Sequence, residues 1–305
     1  MNDLRASFSA ATAMFSVGTL AAVSAAVSTF PVYGGQAMRY TLAVAILFPV
    51  AALRGRRLVR LDRRELLYLL ALAATGLVAF NVFVIEGARH ASAALVGTIV
   101  GSVPVILAVI GPLAAGKRPS MRVLTGAVIV VAGATVATGL GTGNLKGILY
   151  SLGALGCEVC FSMLAIPLLP KLGPLLVSAY AAAASVPMFL VVGVVTAGSG
   201  FLRVPTVAEA SGLAYLAVVV SAGAFLLWYS ALSTLGADRA GLFAGVLPVG
   251  AIVTAAVLGQ GLPTMLELAG AALVIAGVLI GIASAPSART RRAGAIGNPA
   301  VRPVG

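Results

Sequence analysis

Apolar residues do not alternate along this chain; they run on for about twenty positions at a time, broken by short stretches of Gly, Pro and charge. A run of that length spans the roughly 30 Å hydrocarbon core of a bilayer as a helix. The punctuation divides the chain into ten such runs. The first five are predicted at about Ser7 to Ser28, Pro31 to Leu53, Leu66 to Ile85, Ala91 to Leu113 and Met121 to Leu140. The second five are predicted at about Leu145 to Leu168, Gly173 to Ala197, Ala208 to Ser230, Asp238 to Leu258 and Thr264 to Ser284. Residues 285–305, rich in Arg, Pro, Gly and Ala, read as a disordered basic tail. The first run resembles the core of a cleavable leader, but its length and its counterpart at the start of the second half favour a span.

Composition agrees with the pattern. Of 305 residues, 60% are hydrophobic and 9% charged, and the mean hydropathy is +1.09. Too few charges exist to clothe a water-soluble surface. The expected fold class is therefore all-α integral membrane, with a lipid bilayer as its surroundings. The net charge of +12 comes from arginines clustered in loops and in the tail, without an aromatic-bearing basic face, which argues against nucleic acid. An excess of Lys and Arg on the cytoplasmic side accounts for it. Ten spans put Arg5, Arg54, Arg56, Arg57, Arg60, Arg63, Arg64, Lys117, Arg118, Arg122, Lys171, Arg239 and the tail arginines on one side. Arg89, Lys146 and Arg203 fall on the other. Both termini are expected in the cytoplasm and the protein in the cell membrane.

An offset of 144 residues aligns Gly97, Gly101 and Pro104 with Gly241, Gly245 and Pro248, and the register holds without a gap to Gly133 and Gly277. Pro119 meets Pro263, Met121 meets Met265, and Gly126-Ala127 meets Gly270-Ala271. The chain thus divides into a first five-helix repeat at 7–140 and a second at 145–284. An odd number of helices per repeat inserts the second half upside down, giving two inverted-topology five-helix repeats. Many secondary transporters are built in this way. Each G-x-x-x-G is expected to pack against a neighbouring helix, and each proline three residues beyond it to kink its own helix.

Two five-helix repeats, each with a Pro-containing fourth helix, a short Pro-bearing turn and a Gly-rich fifth helix, resemble the EamA-type transporters of the drug/metabolite transporter superfamily. The likeness runs from about Ala10 to Ser284 and is clearest over Asn81 to Gly139 and Phe225 to Ala283. It implies a ten-helix inverted-repeat fold and export of amino acids, metabolites or toxic compounds. In one place the chain departs from the family's pattern. A Gly-Glu pair often follows the fourth helix of such repeats, whereas here Gly116-Lys117 and Gly259-Gln260-Gly261 stand there.

Ionisable groups at membrane depth are costly, roughly 2.5–3.5 kcal/mol each, so the few present are candidate functional residues. Glu158 lies about thirteen residues into the sixth helix and Arg39 about eight into the second; if both face one cavity they are positioned to pair. Either can also serve as a polar contact between helices. Asn81 is a candidate to bind substrate or a neighbouring helix. Trp228 and Tyr229 are candidates too, although near a helix end an aromatic belt at the membrane interface is the simpler reading. Glu86 and Glu267 read as interfacial, and His90 as a solvated residue in a short connection. Cys157 and Cys160 form a lone C-x-x-C with no second ligand pair, so no metal or other cofactor is expected. No nucleotide-binding loop and no midmembrane catalytic constellation is apparent, which speaks against an ATPase or an intramembrane enzyme. A secondary transporter of small solutes is the leading reading, with protons as a candidate co-substrate. An uptake permease of the same fold and a non-transporting receptor or scaffold are the alternatives. A homodimer is compatible with all three.

Overall fold

The computed structural model describes residues 2–24, 29–259 and 262–283. The predicted basic tail and the Gln260-Gly261 dipeptide lie outside the described residues. The described chain is helical, with one isolated β-bridge between Ala91 and Gly143. Ten helices follow one another: α1 (Asn2–Ser24), then α2 (Val32–Leu53), α3 (Arg63–His90), α4 (Ala93–Ala114) and α5 (Met121–Thr138). The second set is α6 (Leu145–Met163), α7 (Leu169–Ala197), α8 (Val207–Leu235), α9 (Ala237–Val257) and α10 (Met265–Ile282). Nine of them, α2 to α10, are long and apolar enough to cross a membrane. The protein is an all-helical membrane protein.

Most predicted ends hold to within a few residues, and the departures have local causes. Helix α3 starts earlier than expected because Asp62 caps it: its carboxylate accepts from the Glu65 backbone N–H while the Glu65 carboxylate accepts from the Asp62 N–H. Thr206 and Glu209 form the equivalent box at the start of α8, and Thr264 and Glu267 at the start of α10. Helix α6 stops at Met163, five residues short of its predicted end, because Pro167 has no N–H to donate to the Met163 carbonyl. The chain re-enters helix at Leu169 and is broken once more at Gly173, whose φ of 68° is outside the helical region. His90 is not in a solvated connection. It closes α3 half-buried, with its ring stacked on Tyr150 at 6.0 Å.

The offset of 144 residues recurs in the backbone. A π-helical stretch, rare in proteins, occupies Leu72–Ala79 within α3 and again Leu216–Gly223 within α8. Helix α4 is interrupted between Val100 and Val103, and α9 narrows to a 3-10 turn at Phe243–Gly245, the matching place. The 18-residue helices α5 and α10 begin and end in the same register. Packing follows suit: α5 lies on α10, α2 on α7 and α4 on α9, each helix against its counterpart, while α1 packs on α8 and α9 as α6 packs on α3 and α4.

Glycines set the closest of these contacts, though not all the ones expected. Between α5 and α10, a Cβ added to Gly126 would stand 2.7 Å from the Gly277 carbonyl oxygen, and one on Gly133 would stand 2.8 Å from that of Gly270. Backbone lies directly on backbone there. Gly241 and Gly245 of α9 meet the Leu107 and Val130 side chains. The expectation fails in the first repeat. A Cβ on Gly97 would meet nothing within 4 Å, and one on Gly101 would meet only its own helix at the Gly97 carbonyl, 2.7 Å away. That face of α4 is turned to open space instead of a neighbour.

Candidate functional site

The open space is a cavity of about 370 Å³ inside the bundle, walled by α1, α3, α4, α5, α6, α8, α9 and one turn of α2. It is within the range of small-molecule sites. Both interrupted helices face it, through Gly97, Gly101 and Val103 of α4 and through Ala244, Leu247 and Pro248 of α9. Exposed main-chain polar groups are tolerated at membrane depth where they line a cavity, which is where these breaks lie. Both π-helical stretches reach it as well, at Gly76 and Leu77 and at Val220. At one end the cavity extends to Ala93, the first residue of α4, and Thr138, the last of α5. In the other direction it stops at Phe161 and Trp228.

Four of the five substrate or coupling candidates are on its wall: Arg39, Asn81, Glu158 and Trp228. Tyr229 is fully buried beside them, its ring 5.1 Å from that of Phe161. The aromatic-belt reading of Trp228 and Tyr229 is corrected by this placement. With relative exposures of 2% and 0%, neither ring touches a lipid interface: this part of α8 packs on α1 and α7, and Tyr229 also meets Phe161 of α6. Ser162 Oγ, Trp228 Nε1 and the Tyr229 hydroxyl have no hydrogen-bond partner among the described residues.

Arg39 and Glu158 share the cavity without pairing. Two of the three Arg39 guanidinium nitrogens are engaged elsewhere: Nε donates to Ser221 Oγ at 2.5 Å and Nη1 to Gln36 Oε1 at 3.3 Å. Its Cζ lies 5.2 Å from the Tyr40 ring centroid. Gln36 passes the contact on, its Nε2 donating to Asn81 Oδ1 at 3.0 Å, and Asn81 Nδ2 donates to the Leu77 carbonyl at 2.7 Å. A polar chain thus runs from the π-helical stretch of α8 through α2 to that of α3. Glu158 belongs to no such chain. Among the described residues it accepts no hydrogen bond and forms no ion pair.

The remaining acids hold the ends of helices. Glu86 pairs with Arg89 one turn on at 2.9 Å, and Glu267 caps α10. Glu65 pairs with Lys171 at 2.5 Å, tying α3 to α7 at the arginine-rich end. Tyr180 of α7 adds a clasp there, its hydroxyl accepting from the Val59 N–H at 3.0 Å and donating to the Val59 carbonyl at 3.2 Å. At the opposite end Glu209, 3% exposed, takes Arg203 and the Thr29 hydroxyl. The carboxylate raises the Arg203 pKa above its ordinary value. Sequence reasoning passed over Glu209, although Thr206-x-x-Glu209 is a legible capping signal. It also passed over Gln36 and Ser221; the first stands one turn from Arg39, whereas the second had no signal in the chain.

A helical bundle with a cavity walled by interrupted, symmetry-related helices is the build of a membrane transporter. Residues 4–139 match the EamA-like transporter family. The chain is also similar to an uncharacterized transporter, YetK, of Bacillus subtilis (strain 168), with 25% identity over 280 residues covering 89% of this chain and 85% of the relative. A solved crystal structure shares the fold, with a TM-score of 0.79 at 18% identity, covering 91% of this chain and 97% of its own. The chain is a multi-pass membrane protein whose first half matches a transporter family.

Proposed function

We propose that this protein is a secondary carrier that exports a small metabolite or toxic compound by alternating access, its two five-helix halves inserted in opposite orientations. The observation that carries the reading is the cavity: its lining runs from exposed Ala93 and Thr138 at helix ends to buried Phe161 and Trp228, and it is bounded by interruptions at corresponding places in α4 and α9. Equivalent packings of two related halves allow such a cavity to face either side in turn. The excess of arginine in the loops at the Phe161–Trp228 end supports assigning that end to the cytoplasm. On that assignment the conformation described here faces outward.

Glu158 is the coupling or substrate-binding group in this reading, because a carboxylate kept unpaired at membrane depth is retained against its cost. Purified protein in proteoliposomes is expected to accumulate solute when a proton gradient is imposed, and Glu158→Gln to abolish that accumulation while the variant elutes from size exclusion as the wild type does. Wild-type rates with unchanged pH dependence in Glu158→Gln remove the residue from the mechanism. Cells lacking the protein are expected to retain more of the solute; lower retention identifies an uptake permease.

A further inference from the structure

We propose that the inner end of the cavity is a binding site for an organic cation with an aromatic or other apolar body, its charged head on Glu158. The inference deepens the transporter reading and rests on it. Glu158 opens on the cavity and has no hydrogen-bond or ion-pair partner among the described residues, so its charge is uncommitted. Around it the wall is aromatic. Phe161 stands one turn further along α6, Phe225 and Trp228 come from α8, Tyr40 from α2 and Phe80 from α3. The rings form a continuous surface, Phe161 to Phe225 at 5.0 Å and Phe225 to Tyr40 at 6.2 Å. Ring faces attract cations electrostatically, and more strongly where water is excluded. A carboxylate set among such faces favours an ammonium head, and the apolar remainder of the cavity accepts the body attached to it.

An anion has no comparable place. Among the described residues Arg39 is the one cation on the wall, and of its nitrogens Nε and Nη1 are occupied by Ser221 and Gln36, leaving Nη2. Its own charge is already held against the Tyr40 ring, and the residue is 6% exposed. A free carboxylate could take only the remaining Nη2 without breaking those bonds, and would have to shed its water within an apolar wall to do so. A zwitterion would bring the same carboxylate with it. The site therefore ranks an amine above the amino acid and the acid that share its body.

Trp228, the only tryptophan of the chain, lies on the cavity wall, so its fluorescence reads occupancy without requiring transport. Detergent-purified protein is titrated with phenethylammonium, phenylalanine and 3-phenylpropionate, one aromatic body carrying a positive, a zwitterionic and a negative head. Phenethylammonium is expected to quench Trp228 saturably, at least about tenfold more tightly than the other two, and to lose at least about tenfold in affinity in Glu158→Gln. The control Glu267→Gln, which keeps the capping geometry of α10, leaves the titration unchanged. Equal or tighter binding of the zwitterion or the anion overturns the proposal. So does undiminished cation affinity in Glu158→Gln, or the absence of saturable quenching by the cation in wild-type protein. Flux of the three probes through proteoliposomes separates the two levels. Cation binding without flux of the bound probe retains the site and counts against the carrier reading, whereas flux of phenylalanine or phenylpropionate without cation preference retains the carrier and removes the cation site.

Discussion

Arg39 carries its charge into the bundle without an acidic partner, and Ser221 takes up much of the cost. A hydrogen bond from a charged donor contributes about 1.5–3 kcal/mol, and a buried donor left without an acceptor is penalised in addition. Ser221→Ala is therefore expected to lower stability by about that amount, read as a drop in the thermal unfolding midpoint in detergent, while Ser221→Thr, which keeps a hydroxyl, restores most of it. The same bond explains why Arg39 and Glu158 remain apart. With Nε and Nη1 held by α8 and by its own helix, the guanidinium is not free to reach across the cavity. Trp228 Nε1, the Tyr229 hydroxyl and Ser162 Oγ are, like Glu158, without a partner among the described residues.

Two kinds of glycine are distinguished among the elements. Those of the α5–α10 seam are pressed against backbone, so any side chain forces the helices apart. Gly133→Val and Gly277→Val are expected to cost at least the roughly 1–3 kcal/mol of ordinary overpacking, seen as loss of the monodisperse peak in detergent. Gly97 faces the cavity. Gly97→Ala should fold at least as well as the wild type, with about 0.5–1 kcal/mol gained from helix propensity, while Gly97→Leu folds and narrows the cavity, lowering transport. The turns after the interrupted helices have a different requirement: Gly116 and Gly259 adopt φ of 67° and 70°, a left-handed conformation that side-chain-bearing residues resist. That conformation recurs at both turns.

At the scale of the whole molecule, the arrangement of basic loops predicts which face each connection occupies. In a Cys157→Ala, Cys160→Ala background, Lys146→Cys is expected to react with an impermeant maleimide on intact cells, and Arg57→Cys only after permeabilisation. The reverse pattern would invert the bundle and make the conformation described here inward-facing. The halves contribute unequally to the cavity. Arg39 comes from the first repeat and Glu158 from the second, and at an offset of 144 they meet Ala183 and Met14. The scaffold is repeated, whereas the polar chemistry on it is not.

Hydrophobic periodicity by itself determined the ten helices and most of their ends, because in lipid a backbone must satisfy its polar groups within the segment, leaving helix as the available answer for each apolar run. The repeat was legible too, since glycines and prolines that shape the backbone leave a mark at a fixed offset. Charge at membrane depth singled out Glu158 and Arg39 for the same reason of cost. What only the tertiary structure decided was which faces meet. The faces of Gly97 and Gly133 are each consistent with close packing when read along one helix, yet one borders a cavity and the other a neighbouring backbone. Trp228 near a helix end suits a membrane interface until the packing of α8 among its neighbours buries it. That Ser221, some 180 residues from Arg39, takes its hydrogen bond follows from the docking of α2 on α8. Local sequence encodes a helix's conformation and its apolar extent; partner, rotation and cavity arise from packing among ten helices whose surfaces are nearly all apolar.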